Sequence, residues 1–525
     1  MHTSVANPSL HSIPPLSPGL RRFLYLTAAL NGAAILVVEI LGAKILAPYL
    51  GTSHFVWTAQ ITVTLLSLAV GYYIGGGMVD REQDLSRLFK AILVAAVYLC
   101  ATIPVSGKVA YACLDLGLKL GSFLASGFLY FVPLTLLAMT GPFLIRVLTS
   151  SVSGVGGQAG RLSAISTLGS VVGAALIGYV LIPFLPNSVT LLITAALLTG
   201  LSLTYLLGFR QRKQGSAMLL GIAAAGLGLG TYSVRADVYA RNAQFTELHR
   251  CNSNFGILQV IQSTGSNQRF YSNDFLAQNI YDTTTHKSLA LFTYMLHDLA
   301  HAYVPRIESA LCIGMGVGIV PSEFGREGVK VDVVEINEAV VPMAQQFFDL
   351  DTNLFQLHIG DGRYFLNRTT RHYDTVILDA FLGDSSPSHL MTREAFTSMK
   401  QALTPDGVLV MNCFGYFEYG RDYFVASLEK TLKSVFQSVR IHDSGRGNVF
   451  MVAGSRSELT AAPLSDVDHI APSLQKEARK TFITLVETDP RHGRVLTDDF
   501  NPVEYYDAAN RELLRRNLAV MMHPK

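Results

Sequence analysis

Ser309-Ala310-Leu311-Cys312-Ile313-Gly314-Met315-Gly316-Val317-Gly318 runs from an apolar stretch straight into three glycines at alternate positions. A short apolar run that ends in glycine reads as a buried strand passing through a tight turn into a helix. Glycine at such a junction lets backbone approach a ligand closely at the helix N-terminus. Clusters of this kind also serve ordinary strand-to-helix turns, so Gly314, Gly316 and Gly318 are a weak signal taken alone.

The surrounding sequence strengthens it. From 309 onward apolar runs alternate with helical stretches, the pattern of a parallel sheet covered by helices. Strands are expected at 310–313, 330–334, 356–359, 375–378, 408–412, 438–442 and 449–453. Seven strands fit the methyltransferase-type version of the doubly wound, Rossmann-like α/β fold. The second ends in Glu335, 21 residues after Gly314, the spacing at which an acid can accept both ribose hydroxyls. The third runs into Gly360-Asp361-Gly362, where a carboxylate can accept from an adenine amino group. A nicotinamide site needs no such acid, so Asp361 tilts the ligand toward an S-adenosyl-type thionucleoside. The fourth ends in Asp379, at the carboxyl edge where open sheets bind ligands.

The N-terminal half obeys another solvent. Half of the 525 residues are hydrophobic and 15% are charged, and from Phe23 to Val79 only Glu39 and Lys44 carry charge. Arg21-Arg22 precede an apolar run to Leu46, longer than the core of a cleaved signal, so it reads as a retained membrane helix. Spans of about 20 residues are expected at 23–47, 56–79, 88–106, 123–145, 162–184, 188–208 and 217–234, with 109–121 as an interfacial helix. Gly71, Gly75, Gly76, Gly77, Gly169, Gly173 and Gly178 supply the small residues that let helices approach closely in lipid. Glu39, inside the first span, either serves a task or pairs locally with Lys44 or a neighbouring helix's hydroxyls. The distribution of Lys and Arg puts the N-terminus in the cytoplasm. Seven crossings would leave everything after Arg235 outside, whereas nucleoside chemistry argues for the cytoplasm. The expectation is a multi-pass cell-membrane protein with its soluble domain cytoplasmic.

The expected organisation is a flexible tail over 1–20, an all-α transmembrane bundle over 21–235, a small β-rich lead-in over 236–308, the nucleoside-binding domain over 309–456 and a C-terminal helical extension over 457–525. A net charge of +2 without a basic stripe gives no reason to expect nucleic acid as a partner. Five dispersed cysteines form no Cys-x-x-Cys pair, which disfavours a disulfide framework or a zinc site. His297 and His301 lie four apart on one helix, a spacing metals use, but no third ligand is evident and a solvated or capping role is expected. Asp498-Asp499 either close over the site or cap a C-terminal helix.

In order and spacing, Gly314–Gly318, Glu335, Asp361-Gly362 and Asp379 resemble the spermidine synthase (polyamine aminopropyltransferase) family. The likeness runs from about Phe255 to Gly454. Ala47-Pro48-Tyr49-Leu50-Gly51 and the stretch from Asp379 to Phe396 resemble the branch fused to a membrane bundle. The resemblance implies transfer of an aminopropyl group from decarboxylated S-adenosylmethionine to putrescine or a related amine, leaving methylthioadenosine. It implies a co-substrate, with neither prosthetic group nor metal. Asp379 would be the proton acceptor, Gly314, Gly316, Gly318, Glu335, Asp361 and Gly362 the nucleoside contacts, and Asp384 and His389 contacts to the substrate. The expected partners are a small amine, an adenosyl sulfonium donor and the lipid bilayer, with homo-oligomerisation left open.

The sequence departs from the family pattern at four places. Val317 stands where soluble members carry an Asp, Phe255-Gly256 where they carry Tyr-Gln, Phe292-Thr293 near their Tyr-His, and their short Asp-x-x-Asp-Pro is stretched to Asp379, Asp384 and Pro387. Two other classes therefore stay open: another S-adenosyl-dependent transferase such as a methyltransferase, and a non-enzymatic transporter or sensor with a nucleoside-binding domain.

Overall fold

The computed structural model describes residues 16–51, 53–149, 154–209, 216–239, 244–381, 386–464, 466–508 and 511. The chain divides into two compact units, one of helices and one of mixed α/β structure. The flexible-tail reading of 1–20 lies, up to residue 15, outside the described residues, and the first helix starts at Pro18.

Among the described residues of the helical unit, seven helices are long and apolar enough to cross a membrane: Pro18–Leu50, His54–Arg81, Leu85–Leu116, Leu118–Leu148, Val155–Phe184, Asn187–Phe209 and Ser216–Arg235. The stretch 109–121 is not a separate interfacial helix. Its first part completes the third long helix, and Gly117 (φ 79°) breaks the chain before the fourth begins at Leu118. Small residues do the packing. Gly169 and Gly173, one turn apart, press on the backbone at Ala29 and Ala33, while Ser170 Oγ donates to the carbonyl of Gly32 at 3.0 Å. Gly71 and Gly75 lie in the same way on Thr135, Ala138 and Met139. A methyl group at any of these four glycines would collide with the neighbouring helix, the usual reason for small residues at close helix crossings in lipid. Gly76, Gly77 and Gly178 face open space instead.

The α/β unit starts with an antiparallel meander in which each strand pairs with the next: β1 (Phe245–Ser253), β2 (Gly256–Ser263), β3 (Gln268–Asn273), β4 (Leu276–Asp282) and β5 (Lys287–Ser288). The helix Leu291–Tyr303 leads into the main sheet of β6 (Ser309–Ile313), β7 (Lys330–Glu335), β8 (Gln356–Ile359), β9 (Tyr373–Leu378), β10 (Leu403–Phe414), β11 (Ser438–Asp443) and β12 (Asn448–Gly454). Their order is β11-β12-β10-β9-β6-β7-β8, and β12 alone runs antiparallel to its neighbours. This is the methyltransferase-type Rossmann topology.

Both faces of the central strands are covered, which is why β6, β9, β10 and β12 read as largely apolar runs, whereas the edge strands β8 and β11 alternate polar and apolar residues. Side chains alternate between two cores. Ala310, Cys312, Val408 and Val410 enter one, while Leu311, Ile313, Leu409 and Met411 enter the other. The strand order reverses between β6 and β9, so the turns after these two strands diverge and leave a crevice at their carboxyl ends. Beyond β12 the described chain has one longer helix, Gln475–Ile483, and a short one over 503–508, joined by extended loop.

Candidate active site

At the reversal point the chain must leave β6 sharply, and the glycines make that turn. Gly314 has φ 91°, Gly316 φ 54° and Gly318 φ 81°, all in the region that disfavours residues with a Cβ. At Gly314 a side chain would also strike the backbone carbonyl of Asp379. Gly318 then opens the helix Ile319–Arg326.

Glu335 closes β7 beside this turn. Its Oε2 accepts from the Met315 N–H at 2.9 Å and its Oε1 from the Asn337 N–H at 2.8 Å. Burial holds its carboxyl above the ordinary range, while these backbone donors pull the other way.

Asp361 follows β8 and caps the helix Gly362–Leu366, its Oδ1 accepting from the Tyr364 N–H at 2.9 Å. Its Oδ2 lies 2.9 Å from His389 Nε2. The pairing engages His389, expected from the resemblance to contact the substrate, with Asp361, expected to contact the nucleoside.

Asp379 emerges from β9. Burial pushes its carboxyl up to about 6, and the Asn412 side-chain amide, donating to Oδ1 at 2.9 Å, opposes that rise. Asn448 Nδ2 in turn donates to Asn412 Oδ1 at 3.1 Å, so this carboxylate is oriented by a chain of two amides from β10 and β12.

These groups line one cavity of about 250 Å³. Glu335, Asp361 and Asp379 all open on it, as do Gly314, Gly316, Gly362 and His389. Gly318 stands just outside, at the start of the helix, and Asp384 lies outside the described residues. Sequence reasoning missed Asn412 and Asn448, although Asn412 is a polar residue closing an apolar strand, the same signal that Asp379 gives. It also missed the opposite wall, where Tyr271, Gln278 and Asn279 of the meander face the sheet. Phe255 and Gly256 are not among the residues that line the cavity, whereas Phe292, Thr293 and Val317 are.

Asp498 neither closes the cavity nor caps a helix. It pairs with Arg363 through two contacts of 2.7 and 2.6 Å and accepts from Thr392 Oγ1 at 2.7 Å, tying the segment after His389 to the Asp361 helix.

A family model described as the spermine/spermidine synthase domain matches residues 290–442. The polyamine aminopropyltransferase of Vibrio vulnificus (strain CMCP6) is 30% identical over 223 residues, which are 40% of this chain and 74% of that protein. The chain belongs to the spermidine synthase family. A second member, the polyamine aminopropyltransferase of Clostridium acetobutylicum, is 26% identical over 185 residues, covering 32% of this chain and 64% of that protein. The N-terminal histidine N-methyltransferase of Emericella nidulans is 32% identical over 164 residues, but these are 29% of this chain and 28% of that protein. Among solved structures, a probable spermidine synthase from Corynebacterium glutamicum aligns at 16% identity with a TM-score of 0.37, over 44% of this chain and 86% of that one. As a member of the spermidine synthase family the protein is a transferase. The match lies in the α/β unit, whereas the helical unit is described by its own seven apolar helices.

Proposed function

We propose that this protein transfers an aminopropyl group from decarboxylated S-adenosylmethionine to putrescine or a related amine, with Asp379 as proton acceptor. The observation that carries the proposal is the recessed Asp379 carboxylate, oriented by Asn412, in the same cavity as Glu335. Glu335 accepts from the two ribose hydroxyls, Asp361 accepts from the adenine amino group, and the glycine turn lets the nucleoside lie against backbone. His389 steadies Asp361 through their 2.9 Å contact and so acts at the adenine end of the donor. Asp384 holds the distal ammonium of a diamine.

The amine nitrogen attacks the methylene carbon bonded to the sulfonium sulfur. A C–N bond forms and the C–S bond breaks, its electron pair returning to sulfur to give neutral methylthioadenosine. The proton from nitrogen goes to Asp379. An alkylammonium with a pKa of about 10 must lose that proton to react, and a carboxylate raised by burial is a better acceptor than an ordinary one. Alignment of nitrogen, carbon and sulfur in a closed cleft supplies the remaining advantage. The cofactor requirement is the sulfonium co-substrate alone. The seven apolar helices support a multi-pass membrane protein; placing the catalytic unit in the cytoplasm rests on the supply of nucleosides there and runs against the Lys/Arg bias combined with an odd number of crossings.

A second reading, methyl transfer from S-adenosylmethionine, is favoured by the partial match to a histidine N-methyltransferase. Offering the purified protein both donors at equal concentration with an amine separates the two. Release of methylthioadenosine supports the proposal, whereas release of S-adenosylhomocysteine supports methyl transfer and overturns it.

A further inference from the structure

We infer that the protein carries a divalent transition-metal site, of the zinc class, formed by His297, His301 and Glu327. The two imidazoles project from one face of the helix Leu291–Tyr303, with ring centres 4.7 Å apart. Glu327, at the end of the helix Ile319–Arg326, brings one carboxylate oxygen to each of them: Oε1 lies 2.8 Å from His297 Nε2 and Oε2 2.9 Å from His301 Nε2. Two imidazole nitrogens and a carboxylate are the donor set of three-ligand zinc sites that keep a fourth position for water.

Three features distinguish this cluster from a chance meeting of charges. Asp298, buried beneath it, contacts His297 Nδ1 at 3.1 Å, which turns Nε2 outward as the metal-binding nitrogen. His469 Nε2 holds Asp298 from the other side at 2.9 Å, completing a support for the carboxylate that orients the ligand. Phe324 packs against both rings, with centroids 4.8 Å from His297 and 5.6 Å from His301, and supplies the apolar shell that fixes their planes.

The candidate donor atoms lie within 4.8 Å of one another. Tetrahedral zinc at about 2.0–2.1 Å from each donor spaces the donors about 3.3 Å apart, so the Glu327 carboxylate would retreat by about half an ångström. Glu327 is 42% exposed and free to make that movement. A metal here would clamp two helices that both begin at the nucleoside cavity, one carrying Phe292 and Thr293 and the other following the glycine turn. Its role would be to fix those walls.

The test is zinc and cobalt content of the full-length, tag-free protein in detergent, stripped with chelator and then titrated with each metal alone. Expected are one zinc per chain, restored after stripping, and visible absorption of tetrahedral cobalt. His301→Ala and Glu327→Ala should each abolish both. Asp298→Asn, which alters only the support, should weaken uptake by about 10–100-fold while keeping one site. A cooperative melt well above the assay temperature, measured in chelator for every variant, shows that lost uptake is not lost fold. Zinc also raises the wild-type midpoint and leaves that of Glu327→Ala unchanged. The inference is overturned if wild type takes up no more zinc or cobalt than Glu327→Ala. It is equally overturned if uptake survives His301→Ala and Glu327→Ala but fails in His469→Ala, which would assign the metal to His297, Asp298 and His469.

Discussion

Replacing Asp379 by asparagine removes the proposed base and keeps the shape of the site. The amide at 379 still accepts from Asn412 Nδ2, so the orienting chain through Asn448 survives. What disappears is the proton acceptor, and a general base contributes about 10²–10⁴ in rate, so turnover should fall by that factor with donor binding little changed. The pH dependence is sharper evidence. The base works ionised, and with a carboxyl at about 6 it is roughly 90% ionised at pH 7 and roughly 9% at pH 5. Wild-type activity should drop about tenfold between those values on this acid limb, which the asparagine variant should lack. Stability should move the opposite way. Burial raises the folded carboxyl from 3.8 to about 6, so the ionised form is disfavoured in the fold above pH 6 and the disadvantage fades as pH falls through 6 toward 3.8. At 1.36 kcal/mol per pH unit the difference amounts to about 3 kcal/mol at pH 7. Asp379→Asn should therefore melt higher than wild type at pH 7, with the gain gone near pH 4. Steady-state rates from pH 4.5 to 8 and melting curves at both ends test this directly. An acid limb centred near pH 4, or a variant retaining more than a tenth of wild-type turnover, would refute the reasoning.

Glu335→Gln should raise the dissociation constant for methylthioadenosine by about 10–100-fold with a smaller effect on turnover, since hydrogen bonds to a charged acceptor contribute about 1.5–3 kcal/mol; isothermal titration reads it. Asn412→Ala removes the donor that favours ionised Asp379, so the acid limb should move up by about one pH unit, read from the rate profile. Gly314→Ala forces a Cβ into the Asp379 carbonyl at φ 91°, and should lower stability by about 2–3 kcal/mol or more and abolish nucleoside binding, checked by thermal melting and titration.

How much of this was legible in the sequence follows from what each residue depends on. The central strands could be read because both of their faces are buried and their runs are largely apolar, and the edge strands β8 and β11 because their polar and apolar residues alternate. Glu335, Asp361 and Asp379 stood out because an acid closing such a run needs a reason. The partners of those acids did not. His389 meets Asp361 across 28 positions of sequence, and Asn448 reaches Asn412 across 36, by sheet geometry that no local pattern encodes. The wall made by Tyr271, Gln278 and Asn279 depends on how the meander faces the sheet, and Glu327 becomes a neighbour of His297 and His301 only through helix packing. In the helical unit, composition gave the number of apolar segments. The boundary at Gly117 was hidden because Asp115 and Lys119 read equally well as an interfacial helix and as helix ends.

If the proposed function holds, an amine nitrogen attacks the sulfonium's propyl carbon in this cavity. The most direct measurement is a product assay with decarboxylated S-adenosylmethionine labelled in its aminopropyl chain, offered to the purified protein with a panel of amines. Label should pass to an amine, giving a triamine from putrescine or the corresponding adduct of a related acceptor, with one methylthioadenosine formed per transfer. Label that stays on the donor with every amine, while Glu335 still binds the nucleoside, would contradict it.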